Sequence, residues 1–266
     1  MPIDRGAGVT TWGLGAYPLI AARLEAGAIA AVDLAVIQPG DRVLDIATGT
    51  GNAALAAAAR GADVVGVDFE STLLVQAAER STALGLKVRW ENSDATALPV
   101  SDRWADVVLS VFGIMYVPDQ ELAARELARC AAPGSRIVLT SWIPGSFMPA
   151  MGNTLSGFLP EPTSSGPPSR WGDRDALDHL VAPFGLELVA HSTETLTLDF
   201  ADAEAAVDFL VRTAGHVLAE QQSLTVQGRW GDLLACLGEL VQERARPFER
   251  RLCIDLQYLL ASMTPH

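Results

Sequence analysis

Residues 43–53 read Val43-Leu-Asp-Ile-Ala-Thr-Gly-Thr-Gly-Asn-Ala53. A short apolar run ends in two closely spaced glycines, and an alanine-rich stretch, residues 52–60, follows. That order predicts a strand, a tight turn and a helix. Gly49 and Gly51 let the backbone turn sharply and leave space where a ligand must approach closely. N–H groups at the start of the following helix favour anionic or carboxylate groups. The spacing Gly49-x-Gly51-x-x-Ala54 also satisfies the dinucleotide fingerprint, whose last position can be alanine.

Three acids around this loop bear on which ligand it serves. Asp45 lies inside the strand end, four residues before Gly49. Beside the phosphates of a dinucleotide its carboxylate would repel; beside an ammonium it would attract. Its plainer role is a turn or helix-capping aspartate. Asp68 closes the run Val64-Val-Gly-Val-Asp68, at the separation from the loop where an acid takes ribose hydroxyls. Asp68 and Ser71 are also the available caps of the next helix. Phe69 follows directly and could pack on an adenine face or in the core. Asp94 and Ala95 follow the third strand, in Asn92-Ser-Asp-Ala-Thr-Ala-Leu-Pro99. An acid therefore stands at or just after each of three successive strands.

Outward from the loop the pattern alternates. Strands are expected at residues 42–46, 63–67, 87–91, 106–111 and 135–141, with helices at 52–60, 71–84 and 120–131, the last ended by Ala132-Pro-Gly134. Such alternation implies a parallel sheet with helices on both faces. Ala105-Asp-Val-Val-Leu-Ser-Val111 shows no period-two pattern, as befits a strand covered on both sides. Residues 17–36 read as one or two amphipathic helices stopped by Pro39-Gly-Asp41. Beyond Trp142 the texture changes. A short apolar helix is expected near 147–158, and the stretch Pro160 to Pro168 cannot be helix or inner strand. A loop of this length suggests a lid or rim. A helix at 173–182, strands at 186–191 and 195–200, helices at 203–219 and 230–246 and a last strand at 253–260 complete the chain.

The fold class expected is α/β: a Rossmann-like, mostly parallel central sheet with helices on both faces, an N-terminal helical cover and a late helical cap insertion. Read as a single domain, residues 1–38 form the cover, 39–142 the cofactor-binding core, 143–250 the substrate lid and cap with late strands, and 251–266 the final strand.

Composition narrows the function. Of 266 residues, 49% are hydrophobic and 19% charged, which is globular. A formal net charge of -13 with no basic run argues against a nucleic-acid partner. Cys130, Cys236 and Cys253 are the only cysteines, odd in number and far apart, so neither a disulfide framework nor a zinc site is expected. No paired histidines or clustered acids suggest another metal. The N-terminus shows no apolar leader, and the most apolar stretch, Leu19 to Ile37, is cut by Arg23, Glu25 and Asp33. A cytoplasmic protein that avoids membranes is the expectation.

Taken together, residues 43–52, Val65-Gly-Val-Asp68, Ser93-Asp-Ala95, Asp106-Val-Val-Leu-Ser110 and Pro133-Gly-Ser-Arg-Ile-Val-Leu139 resemble the consecutive motifs of class I S-adenosylmethionine-dependent methyltransferases. Phe112-Gly-Ile-Met-Tyr-Val-Pro-Asp119 resembles the ubiquinone/menaquinone-biosynthesis-like branch and its small-molecule relatives. The resemblance covers roughly residues 40–142. It implies S-adenosyl-L-methionine as cofactor, with Asp45 and the backbone of Ala47, Thr48, Gly49, Thr50 and Gly51 holding the methionyl part. It implies Asp68 on the ribose, Phe69, Asp94 and Ala95 around the adenine, and Ser110 facing the sulfonium. Trp12 and Tyr17, in Thr11-Trp-Gly-Leu-Gly-Ala-Tyr-Pro18, resemble an N-terminal element that closes over the cofactor.

Methyl transfer from a sulfonium is an in-line displacement that chiefly needs alignment and dryness. A base is required only where the acceptor must lose a proton. His216, on the expected helix 203–219, is the candidate base. Tyr116 and Trp142, after the fourth and fifth strands, are candidates for the acceptor wall. The apolar helices and proline-rich loop suggest a small, largely apolar acceptor, such as a polyketide, terpenoid or quinone-like product of secondary metabolism, methylated on O, N or C. Two other readings share the glycine loop. One is an NAD(P)-dependent oxidoreductase, although Lys87 is the only lysine and no Tyr-x-x-x-Lys pair exists. The other is a protein that binds the cofactor without transferring its methyl group.

Overall fold

The computed structural model describes residues 11–160 and 164–266. Residues 1–10, which carry the leader reading and the start of the cover, and residues 161–163 of the proline-rich loop lie outside the described residues. The described cover is a single 3-10 turn (Thr11–Leu14), α1 (Tyr17–Arg23) and α2 (Glu25–Leu34). The alternating core follows: β1 (Arg42–Ile46), α3 (Asn52–Ala58), β2 (Asp63–Asp68), α4 (Ser71–Ala83), β3 (Arg89–Asn92), β4 (Ala105–Val111), α5 (Gln120–Cys130) and β5 (Ala131–Trp142). Next come α6 (Phe147–Ser156), α7 (Arg174–Val181), β6 (Leu186–Phe200), α8 (Ala203–Thr213), α9 (Gly215–Val226), α10 (Trp230–Arg244), β7 (Arg246–Phe248) and β8 (Arg251–Pro265).

These strands form one sheet in the order β3-β2-β1-β4-β5-β8-β6, with β7 on β8. β1 through β5 pair in parallel, and β8 runs antiparallel to both β5 and β6. The apolar residues that made β4 readable, Val107, Val108 and Leu109, are fully buried between the helical layers. Side chains fix where the helices begin. Asp119, Asp173 and Asp202 each accept from the amide three residues on, at the starts of α5, α7 and α8. Because β1 connects outward to β2 while β4 lies on its other side, the chain direction reverses between β1 and β4. Crevices for ligands form at the carboxyl ends of strands at such a point.

The structure departs from the sequence reading in several places, of which four bear on the site's surroundings. β6 is a single strand of 15 residues with an irregularity between Leu188 and Ala190, not two short ones. Its Ser192-Thr-Glu194 centre looks like a break, but it sits at the sheet's edge, where polar side chains reach solvent. The expected helix 203–219 is two helices, because Ala214 leaves helical geometry (φ -97°, ψ 87°). The cover occupies that corner: Ala16 N–H donates to Arg212 O, and a Cβ on Gly215 would lie 1.7 Å from Thr11 O. Neither Asp68 nor Ser71 caps α4; Glu70 does, accepting from Thr72 N–H. Finally, β5 starts directly after α5 and runs through Pro133-Gly134, expected as a turn.

Candidate active site

The glycine loop hangs between the ends of β1 and β2. Thr48 N–H donates to Val67 O at 2.9 Å, and Gly49 N–H donates to Asp68 Oδ2 at 2.8 Å. Asp45 is 1% exposed and ties the loop to α3, accepting from the Thr48 hydroxyl at 2.5 Å and from Ala54 N–H at 3.0 Å. Burial pushes its pKa up to about 7; the two hydrogen bonds pull down, and nearby Asp68 pushes up again. Burial likewise raises Asp68 above the ordinary carboxylate range, opposed by the amides of Glu70 and Gly49. Gly49 and Gly51 have φ of +56° and +86°. Ala47 (φ +54°) and Phe112 (φ +56°) share that left-handed region at the ends of β1 and β4. For residues with a Cβ this costs roughly 1–2 kcal/mol each, strain usually retained where a backbone must face a ligand.

A cavity of about 270 Å³ opens over these strand ends. The cover contributes Trp12 and Tyr17, β1 Ala47, β2 Asp68 and Phe69, the turn after β3 Asp94 and Ala95, and the turn after β4 Phe112, Gly113 and Tyr116. A recess of about 30 Å³ holds Asp45, Thr48 and Thr50 and shares Tyr17, Ala47 and Phe112 with the larger space. Tyr17 closes the roof: a Cβ on Gly49 would lie 2.8 Å from its hydroxyl. Burial and the neighbouring Asp68 raise the Tyr17 phenol, so it stays protonated. Trp12 meets Tyr17 edge-on (6.3 Å between centroids) and Tyr116 at a tilt (5.1 Å). Burial pushes the Tyr116 phenol up to about 12. Phe69 is 47% exposed at the rim, free to cover a flat ring. Asp94 anchors its turn by accepting from Thr96 N–H and the Thr96 hydroxyl through Oδ1. Among the described residues no Lys, Arg or His lines either space.

Three expected site residues stand elsewhere. Ser110 is fully buried and off the cavity: its hydroxyl donates to Ile46 O at 2.7 Å and accepts from Ile114 N–H at 3.1 Å. It ties the ends of β1 and β4 together instead of facing a sulfonium. Trp142 is 3% exposed and stacks behind Phe112 (4.0 Å, 10°), so it backs the wall without forming it. His216 is exposed in the first turn of α9 and lines neither space. Partial burial lowers its pKa, but its position does not serve a base acting in the cavity. Conversely, Phe112, Gly113, Val117 and Pro118 line the cavity although only Tyr116 was expected from that run. Their signal was present, since residues 112–119 carry a family motif. Cys130 is buried with its thiol pushed up to about 12, no nucleophile.

The sequence matches the family described as a methyltransferase domain over residues 43–134. An uncharacterized protein of Mycobacterium tuberculosis is 39% identical over 167 residues, 62% of this chain. The matched stretch spans 61% of that relative's length. The demethylmenaquinone methyltransferase of Thermus thermophilus is 39% identical over 159 residues, 52% of this chain and 72% of that enzyme. This chain belongs to the S-adenosylmethionine-dependent methyltransferases. The YcgJ protein of Bacillus subtilis shares the fold, with a TM-score of 0.63 at 18% identity over 91% of this chain and 98% of that one.

S-adenosylmethionine is the family's cofactor, and the methyltransferase's residues fit it. The molecule carries an ammonium, a sulfonium, a ribose diol and an adenine, and the cavity offers carboxylates and aromatic faces. A dinucleotide would bring a pyrophosphate against Asp45, and among the described residues no cation lines the walls to balance it.

Proposed function

We propose that this methyltransferase transfers a methyl group to a small, uncharged, largely apolar acceptor, and that it works in the cytoplasm. The observation carrying this reading is the wall at the end of β4: Trp12, Phe112, Tyr116, Val117 and Pro118 are apolar or aromatic, and no cation stands among them. An acceptor bearing carboxylate or phosphate would lose its hydration there without compensation. The name of the Thermus relative, demethylmenaquinone methyltransferase, supports a ring acceptor of quinone type within this class.

In this reading Asp68 holds the ribose, Asp45 and the backbone of residues 48–51 hold the methionyl end, and Phe69, Asp94 and Ala95 frame the adenine. When bound, the cofactor supplies an activated methyl group. Trp12 and Tyr17 close over it and exclude water. Tyr116 and Phe112 hold the acceptor in line with the methyl group. The cavity's phenols, both raised, bind as neutral donors and do not act as bases. A proton that an acceptor loses would therefore pass to solvent and not to either phenol.

The test is acceptor-dependent formation of S-adenosylhomocysteine from purified protein. Neutral phenols and quinols should be turned over, and Tyr116→Ala should raise their KM at least about tenfold, the loss expected when an aromatic contact with the acceptor is removed. Methylation of tRNA or a histone tail, with no turnover of small neutral acceptors, would overturn the reading.

A further inference from the structure

Arg80 lies in the last turn of α4, outside both spaces, and is half-buried. Its Nη1 donates to three oxygens behind the glycine loop: Thr50 O at 2.6 Å, Thr50 Oγ1 at 3.2 Å and Asn52 Oδ1 at 2.8 Å. Among the described residues no carboxylate forms an ion pair with it. Asn52 passes the contact on, since its Nδ2 donates to Ala21 O in α1 at 2.7 Å. α1 begins at Tyr17, one helical turn before Ala21, and Tyr17 roofs Gly49. One guanidinium thus grips the loop's carbonyl side and, through Asn52, the helix that carries the roof.

We propose that Arg80 is a positioning residue for the cofactor, acting with Asn52 to set the glycine loop and seat the cover on it. The geometry has a physical consequence. Gly51 has φ of +86°, and the Thr50–Gly51 peptide is held from both sides: its N–H donates to Thr48 O at 2.9 Å, and its carbonyl accepts from Arg80. A charge-assisted hydrogen bond to the Thr50 carbonyl fixes that peptide, so the loop meets the ligand already arranged. The unpaired positive charge also lies behind the loop, on the side of the recess lined by Thr50 and Asn52. There it favours the carboxylate of a bound amino-acid moiety without touching it. This inference rests on the methyltransferase reading.

The experiment is calorimetric titration of S-adenosylhomocysteine into wild type, Arg80→Met, Arg80→Lys and Asn52→Ala, with melting of each protein alone and with saturating ligand. An ammonium supplies several N–H donors from one centre, so lysine can reproduce much of what Nη1 does. Arg80→Met should weaken binding at least about tenfold, the usual cost of a lost charge-assisted bond. Arg80→Lys should recover most of it, and Asn52→Ala should weaken binding severalfold. Without ligand the variants should melt close to wild type. Binding by Arg80→Met within twofold of wild type would overturn the proposal. So would equal losses in the Met and Lys variants accompanied by a lower melting temperature without ligand, the mark of a merely structural role. If Arg80→Met does not fold, Asn52→Ala decides, and wild-type affinity there would overturn the proposal. No binding by wild type itself would instead reject the methyltransferase reading on which the inference rests.

Discussion

Burial of Asp45 makes the charge of the site depend on pH near neutrality. Its folded-state pKa of about 7 lies above the ordinary 3.8, so the fold favours the protonated form. The stability this group contributes is complete below pH 4 and is lost as pH rises through about 7. Between about pH 4 and pH 7 each pH unit costs about 1.4 kcal/mol at most, and above 7 the loss levels off. Asp45→Asn keeps the acceptors for Thr48 and Ala54 but cannot ionise. Its stability relative to wild type should therefore improve between pH 4 and pH 7 and level off above, as measured by denaturant unfolding without ligand. A cationic ligand end beside Asp45 acts in the opposite sense, because it favours the carboxylate. Affinity of the wild type for S-adenosylhomocysteine should rise with pH through 7, and Asp45→Asn should flatten that rise. An unchanged slope in the variant would remove Asp45 from the methionyl end. At this scale the acids were legible because their types and places are chemical signals. Arg80 was not, because its partners lie 28 and 30 residues away and only the folded helix brings them near.

The glycine loop borders the recess, and the proline-rich segment is anchored beside the cavity. Gly49→Ala would place a methyl 2.8 Å from the Tyr17 hydroxyl and force an alanine to φ +56°. About 1–2 kcal/mol of stability should be lost from backbone strain alone. Binding of S-adenosylhomocysteine should fall more steeply than stability, since the roof must lift; calorimetry beside thermal melting separates the two. The proline-rich segment was read as a lid. Its described part is fastened to the cavity wall: Ser165 N–H donates to Pro118 O at 2.8 Å, and Gln120 Nε2 donates to Gly166 O at 2.9 Å. Gln120 is fully buried, so Gln120→Ala should cost about 1–3 kcal/mol and speed proteolytic cleavage near residues 164–168. An unchanged cleavage rate would show that this anchor does not hold the segment. Elements with strong local signals, β1 to β5 and their helices, were readable within a few residues. The break between α8 and α9 was not, because the cover turn that imposes it comes some two hundred residues earlier in the chain.

For the whole molecule, the parallel half of the sheet follows from apolar runs buried on both faces, and its order places the acids at a single edge. The antiparallel β6 and β8 were underestimated in length, since an edge strand carries polar residues that read as loop. In the proposed reading the acceptor is met where the cover and the turn after β4 come together, a tertiary arrangement that the motifs alone do not specify. The central claim is that this cavity binds the methyl donor and not a dinucleotide. Titration of the purified protein with S-adenosylhomocysteine, in parallel with NADH, tests it most directly. The prediction is saturable binding of S-adenosylhomocysteine at one site per chain, lost in Asp68→Ala, with no heat from NADH. Saturable binding of NADH with none of S-adenosylhomocysteine would contradict it.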